Sequence, residues 1–235
     1  MTLTQLVKVA RIQLVNARMV LGMPLLVLVC VLAANIVIFM AIQTPSPPGE
    51  SAITGALISI YIVTLVTHVQ TMTQMFPFAL GISVTRRDFV GAAGLVIVGQ
   101  ALVYGVIIWV MALLEGATGG WGLDLAMFDL PFLQESNVVT QVLVYAGPFL
   151  LLSFAGLWAG IVFHRWGQLG VWVLGLALGA LLVGLMALVG SQGWWQQVFD
   201  FFAETPTLLM FAGYPTLIAA ILAAATYATS RRAVP

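Results

Sequence analysis

Six apolar stretches, separated by short polar connections, dominate the 235-residue chain. They begin near Met19, Ala52, Phe89, Val138, Leu169 and Thr207. Each runs for roughly twenty residues or more, the length a helix needs to cross a hydrocarbon core of about 30 Å. The pattern predicts an all-α polytopic membrane protein with spans at about 19–42, 52–76, 89–114, 138–163, 169–190 and 207–229. Ahead of the first span, Leu3, Leu6, Val7, Ala10, Leu14 and Ala17 recur at helical spacing, with Lys8, Arg11 and Arg18 largely on the other side. Residues 1–18 therefore read as an amphipathic helix in the headgroup layer. The apolar run Leu21 to Met40 exceeds the roughly 7–15 residues of a cleavable signal core, so it reads as a retained span.

Charge fixes the orientation. With the N-terminus inside, Lys8, Arg11, Arg18, Arg86, Arg87, Arg165, Arg231 and Arg232 all fall on the cytoplasmic side. Glu50, Glu115, Asp124, Asp129, Glu135, Asp200 and Glu204 fall outside, and Asp88 alone joins the basic residues. Basic loops resist translocation, so both termini are expected in the cytoplasm, with residues 231–235 as a short tail. Composition agrees: 62% of residues are hydrophobic and 7% charged, against about 25% charged in soluble domains. Arg-rich basic usage with abundant Ala, Gly and Val hints at a GC-rich bacterial genome, and so at a bacterial cytoplasmic membrane.

The connections add detail. Leu125, Phe128 and Phe132, with Trp121 nearby, have the spacing of a short helix on the outer surface within 115–137. The turn 191–206, rich in Trp and Phe, is expected to dip into the outer interface. Gly156 with Gly160, and Gly175 with Gly179, form two G-x-x-x-G faces suited to close helix contact, expected within the chain. Pro24, Pro148 and Pro215 should bend their spans and free a carbonyl each.

Much chemistry is missing from the sequence. His68, His164 and Cys30 lack the spacing of a metal site. Lys8 is the only lysine and no P-loop surrounds it. No carboxylate pair lies within the spans for acid–base catalysis. The chain is expected to be no enzyme by itself, to hold no metal or cofactor, and to bind no nucleic acid. One polar seam remains in the second span: Thr64, Thr67, His68, Thr71 and Gln74 share a helical face, which Tyr61 extends outward. It either bonds neighbouring helices, with Asn35, Gln100 and Gln141 as candidate partners, or lines a weakly polar path.

The cytoplasmic link runs from Phe76 to Phe89 and reads FPFALGISVTRRDF. Pro77 and Gly81 are expected to break the exiting helix, with Thr85 capping the next. This segment resembles the stretch between the second and third spans of type-2 ABC (ATP-binding cassette) permeases. The order of an amphipathic leader, six spans and an aromatic turn before the last is also similar. The resemblance implies a permease subunit that pairs with a second copy or a sister permease. It also implies docking of two ATP-binding subunits, which carry the ATP and Mg. Gly81, Thr85, Arg86, Arg87 and Asp88 then become the coupling residues, and the seam from Tyr61 to Gln74 a lining of the substrate path. The E-A-A-x-x-x-G loop of importers is absent, so export of hydrophobic or amphipathic compounds such as drugs, antibiotics or lipids is the expected direction. A non-transporting membrane scaffold is the alternative.

Overall fold

The structure, a computed structural model, describes residues 9–10, 13, 18–42 and 51–230, with Arg18 and Met19 as backbone only. The tail 231–235, the loop around Glu50 and most of the amphipathic leader lie outside the described residues. The chain is all-α. Five helices are long and apolar enough to cross a membrane: α1 (Val20–Ile42), α2 (Gly55–Gly81), α3 (Arg86–Ala117), α4 (Val138–Gln192) and α6 (Leu209–Ser230). A short α5 (Trp195–Glu204) precedes the last.

The count of five differs from the six predicted stretches because α4 runs for 55 residues through two of them. It is not one rod. Gly167 has φ 66 and ψ −160, a conformation open essentially only to glycine, and two helical arms meet there. Each arm, 138–166 and 168–192, exceeds the about twenty residues of a span.

The arms live in different surroundings. The first arm is the hub, touching α2, α3 and α6. A Cβ on Gly156 would strike the Leu65 carbonyl, and one on Gly160 would lie 2.6 Å from the Met72 Cβ, so this glycine face seats α2. Gly147 likewise leaves room for the Phe211 backbone of α6. In the second arm the consecutive Leu181, Leu182 and Val183 are all exposed, so no face is covered. Gly175 and Gly179 have no atom within 4 Å. The intrachain contact expected of this second glycine pair is not made, because its helix stands away from the others.

Proline disturbs three of the helices in the same way, while Pro148 sits inside α4 with no such turn. Pro24, Pro77 and Pro215 each follow a π-helical turn ending two residues earlier, at Arg18–Gly22, Thr71–Met75 and Leu209–Gly213. Proline lacks an N–H and its ring crowds the carbonyl four residues back, and a wider turn absorbs both effects. Pro77 therefore does not break α2 as expected. The disturbance falls one turn earlier, and the helix continues to Gly81.

Two apolar clusters fill the bundle. One joins Leu28, Tyr61, Tyr104, Ile108, Tyr145 and Phe149 toward the end where α3 finishes. The other joins Met72, Phe76, Phe89, Ile97 and Ile161 toward the end where α3 begins. Of the leader, Ala10 packs against Val20, Ala92 and Val96, and the Gln13 amide donates to the Phe89 carbonyl at 3.2 Å.

Candidate functional site

The bundle has a basic and an acidic end, and both carry candidate chemistry. The 32 residues of α3 span about 48 Å at 1.5 Å per residue. The helix starts on Arg86-Arg87 and finishes beside Glu115.

At the basic end, the rings of Phe89 and His164 stand 5.2 and 5.6 Å from that of buried Phe76. This cluster gathers the ends of α2, α3 and the first arm of α4. Beyond it α2 closes with the two hydrogen bonds of a Schellman motif: Ser83 N–H to Leu80 O and Val84 N–H to Ala79 O, each 3.0 Å. Ser83 occupies the left-handed position, φ 64, where glycine is the favoured residue. Phe78 and Ile82 stand out at 60% and 50% exposure.

Thr85 then caps α3 as expected. It accepts from the Asp88 N–H at 3.2 Å and donates its hydroxyl to the Asp88 carboxylate at 2.7 Å. Asp88 thereby places a negative charge in a first turn that two arginines would otherwise make unfavourable. The arginines differ. Arg86 donates to the Ser230 carbonyl at 3.2 Å, a cation on the carbonyl end of α6. Arg87 is exposed. Gly81 is exposed and touches nothing within 4 Å of where a Cβ would sit.

The seam residues are mostly inside the bundle. Thr64, Thr67, His68 and Thr71 are buried, whereas Gln74 is exposed. Thr64, Thr67 and Thr71 donate to carbonyls one turn back in α2, at 2.8, 2.8 and 3.0 Å. His68 Nε2 meets Gln100 Oε1 at 3.0 Å; since the amide oxygen only accepts, Nε2 carries the proton. The Gln100 amide donates to the Val20 carbonyl and the Tyr104 hydroxyl, both at 2.9 Å, and that hydroxyl donates to Leu21 O at 2.8 Å. Val20 is four residues before Pro24, so Gln100 bonds a carbonyl that proline frees, while Tyr104 bonds that of Leu21. Of the other two candidate partners, Asn35 bonds Val31 of its own helix and Gln141 bonds Leu133. Tyr61 donates to the Tyr145 carbonyl at 3.2 Å and lines an apolar cavity of about 220 Å³ with Leu57, Leu130, Val144 and Phe211.

The acidic end is folded more tightly than its sequence suggested. The expected surface helix over Leu125, Phe128 and Phe132 does not form. Instead Gly119, Gly120, Trp121, Gly122 and Asp124 all take positive φ and turn the chain back. Leu125–Ala126 then pairs in parallel with Ala52–Ile53. Glu115 directs this. Only 2% exposed, its carboxylate accepts the backbone N–H groups of Met127, Phe128 and Asp129 at 2.8–3.1 Å and the Trp121 indole N–H at 3.0 Å. Three successive amides cannot converge on one carboxylate and also pair within a helix. Tyr145 fastens the same segment by donating to the Phe128 carbonyl at 2.9 Å. Sequence reasoning counted Glu115 only as an outer charge. A clue was present: a carboxylate in the last turn of an apolar helix opposes the helix dipole unless something else holds it.

Beside this cap lies a cavity of about 530 Å³ between the end of α3 and the start of α4, lined by Trp109, Asp129, Gln134, Glu135, Gln141 and Tyr145 among others. Among the described residues, no group of three or more His, Cys, Asp or Glu is placed to hold a metal ion. Comparison of the chain with protein-family models, with curated proteins and with solved structures finds no match.

Proposed function

We propose that this chain is the permease subunit of an ATP-driven ABC exporter in a bacterial cytoplasmic membrane, with hydrophobic or amphipathic compounds as substrates. In this reading the two arms of α4 cross separately, giving six spans with both termini cytoplasmic. Two separate ATP-binding subunits bring the ATP and Mg, and a second permease copy or sister permease completes the complex. The supporting observation is the tip at the basic end. Phe78, Ile82 and Arg87 project from a rigid turn into what this topology makes cytoplasm, where exposed large apolar groups ask for a protein partner. The tip is stiff: it is closed by a Schellman motif, capped by Thr85 and seated on Phe76. A push there would pass directly into α2 and α3.

Arg86 is already engaged with α6, so the docking contact falls to Arg87, Phe78 and Ile82, while Gly81, Thr85 and Asp88 shape the turn. Affinity purification of the tagged chain from the membranes of its own organism, with a search for a co-purifying P-loop ATPase, tests the reading. The wild-type chain should retain the ATPase, and Phe78→Ser with Arg87→Glu should lose it while still inserting in the membrane. Equal recovery from the variant removes the docking role of the tip, and no ATPase with the wild type removes the exporter reading.

A further inference from the structure

The cavity at the acidic end has features that the docking tip does not explain. Its volume of about 530 Å³ falls within the range of sites for small molecules, roughly 300–1,000 Å³. Trp109 and Tyr145 line it together with the carboxylate residues Asp129 and Glu135 and the amide residue Gln141. Leu113 and Val138, both more than half exposed, also contribute to its lining.

Charge decides which ligand fits. The acidic end gathers Glu115, Asp124, Asp129, Glu135, Asp200 and Glu204. Every described Lys, Arg and His side chain outside the seam belongs to the other end, where Arg86, Arg87, His164 and Arg165 collect. The cavity's carboxylates therefore have no cationic partner among the described residues nearby. Glu115 spends its oxygens on four N–H groups, and Asp129 accepts one bond from Gln134 at 2.9 Å. The Glu135 backbone N–H is bonded to Gln141, Glu135 belongs to the lining, and no hydrogen bond from a described residue reaches its carboxylate. A hard metal ion favours several charged oxygens, and among the described residues no group of three or more His, Cys, Asp or Glu is placed to supply them. An organic ammonium suits the cavity better: a cation for Asp129 and Glu135, with Trp and Tyr rings that attract cations and exposed Leu113 and Val138 for an attached alkyl chain.

We infer that the cavity between the end of α3 and the start of α4 binds the ammonium group of an amphipathic amine. That group is presented either by an amine-bearing lipid headgroup or by a soluble cationic compound. The site requires no ATPase and so stands or falls separately from the docking tip.

Calorimetric titration of the purified full chain with benzyltrimethylammonium, against uncharged benzyl alcohol, tests the soluble source. Melting in phosphatidylglycerol vesicles with and without phosphatidylethanolamine tests the lipid source. Saturable binding of the ammonium alone is expected, weakened about tenfold by Asp129→Asn or Glu135→Gln. Both substitutions keep the shape and one accepting oxygen while removing the charge. Asp124→Asn, which removes the same charge from the same end but outside the cavity, should change nothing. A melting shift that only phosphatidylethanolamine gives, and that Asp129→Asn removes, assigns the ammonium to a headgroup. No response in either arm, equal binding of benzyl alcohol, or an equal loss with Asp124→Asn overturns the site.

Discussion

The two ends of the bundle solve the same problem, closing helices outside the apolar core, in opposite ways. At the acidic end a 20-residue connection (118–137) between α3 and α4 is wound onto one buried carboxylate, paired with residues 52–53 and bonded to Tyr145. At the basic end residues 82–85 turn the chain from α2 into α3, leaving Phe78, Ile82 and Arg87 outside. The first end spends the Glu115 carboxylate and the amides around it on its own fold; the second leaves apolar and cationic side chains exposed. A buried polar group must be satisfied internally, so the acidic end cannot move without losing several bonds at once. At the basic end the bonds that shape the turn are local, and Arg86 ties it to α6.

The largest effect expected from breaking this contrast comes from Glu115→Ala. Three backbone N–H groups and an indole N–H would lose their acceptor, at a cost of about 3–5 kcal/mol. A large fall in the thermal midpoint in detergent should accompany protease cleavage within 118–137. A melting point within a degree of wild type would show that the cap does not depend on this carboxylate.

Next comes Gly156→Leu, which drives a side chain into the Leu65 backbone and should cost about 1–3 kcal/mol. The same change at Gly175 meets open space and should leave the melting of the isolated chain unaltered. Equal destabilisation by both would mean that the second arm of α4 is packed after all.

Smaller effects belong to the basic end. Thr85→Ala removes the cap of α3 and should cost about 1 kcal/mol, and unlike Glu115→Ala it should leave the 118–137 connection resistant to protease. Ser83→Gly should stabilise by about 0.4–1 kcal/mol, because glycine takes the left-handed position without strain; a loss of stability would mean the turn owes nothing to backbone conformation. The seam lies between the ends. His68→Leu severs one interhelical bond and should cost about 0.6 kcal/mol, the usual size of such bonds in membranes. In the assembled complex it is also expected to alter substrate-stimulated ATP turnover, and identical turnover across several substrates would leave His68 as packing.

Much of the fold was legible in the order of residues, and for one reason. Apolar runs of about twenty residues admit no structure but helix when their backbone must satisfy itself. The Thr85 cap and the termination of α2 at Gly81 were legible because capping is local. The His68–Gln100 pairing was half legible: both residues stood out as polar groups in apolar spans, but their meeting joins helices 32 positions apart. Gly156 and Gly175 illustrate the limit. Their motifs look the same in sequence, yet one seats α2 and the other touches nothing, because only the arrangement of neighbours gives a missing side chain its use.

Helix type, the approximate positions of the long apolar helices and the separation of basic from acidic connections were all consequences of local hydrophobicity and charge, readable along the chain. Tertiary structure decided what those connections do. It took Glu115 from a surface charge to the centre of a folded cap and divided two adjacent arginines into one that holds α6 and one that is exposed. It also hollowed a cavity beside Asp129 and Glu135. Each depends on groups distant in sequence meeting at hydrogen-bond range, which no periodicity along a single helix encodes.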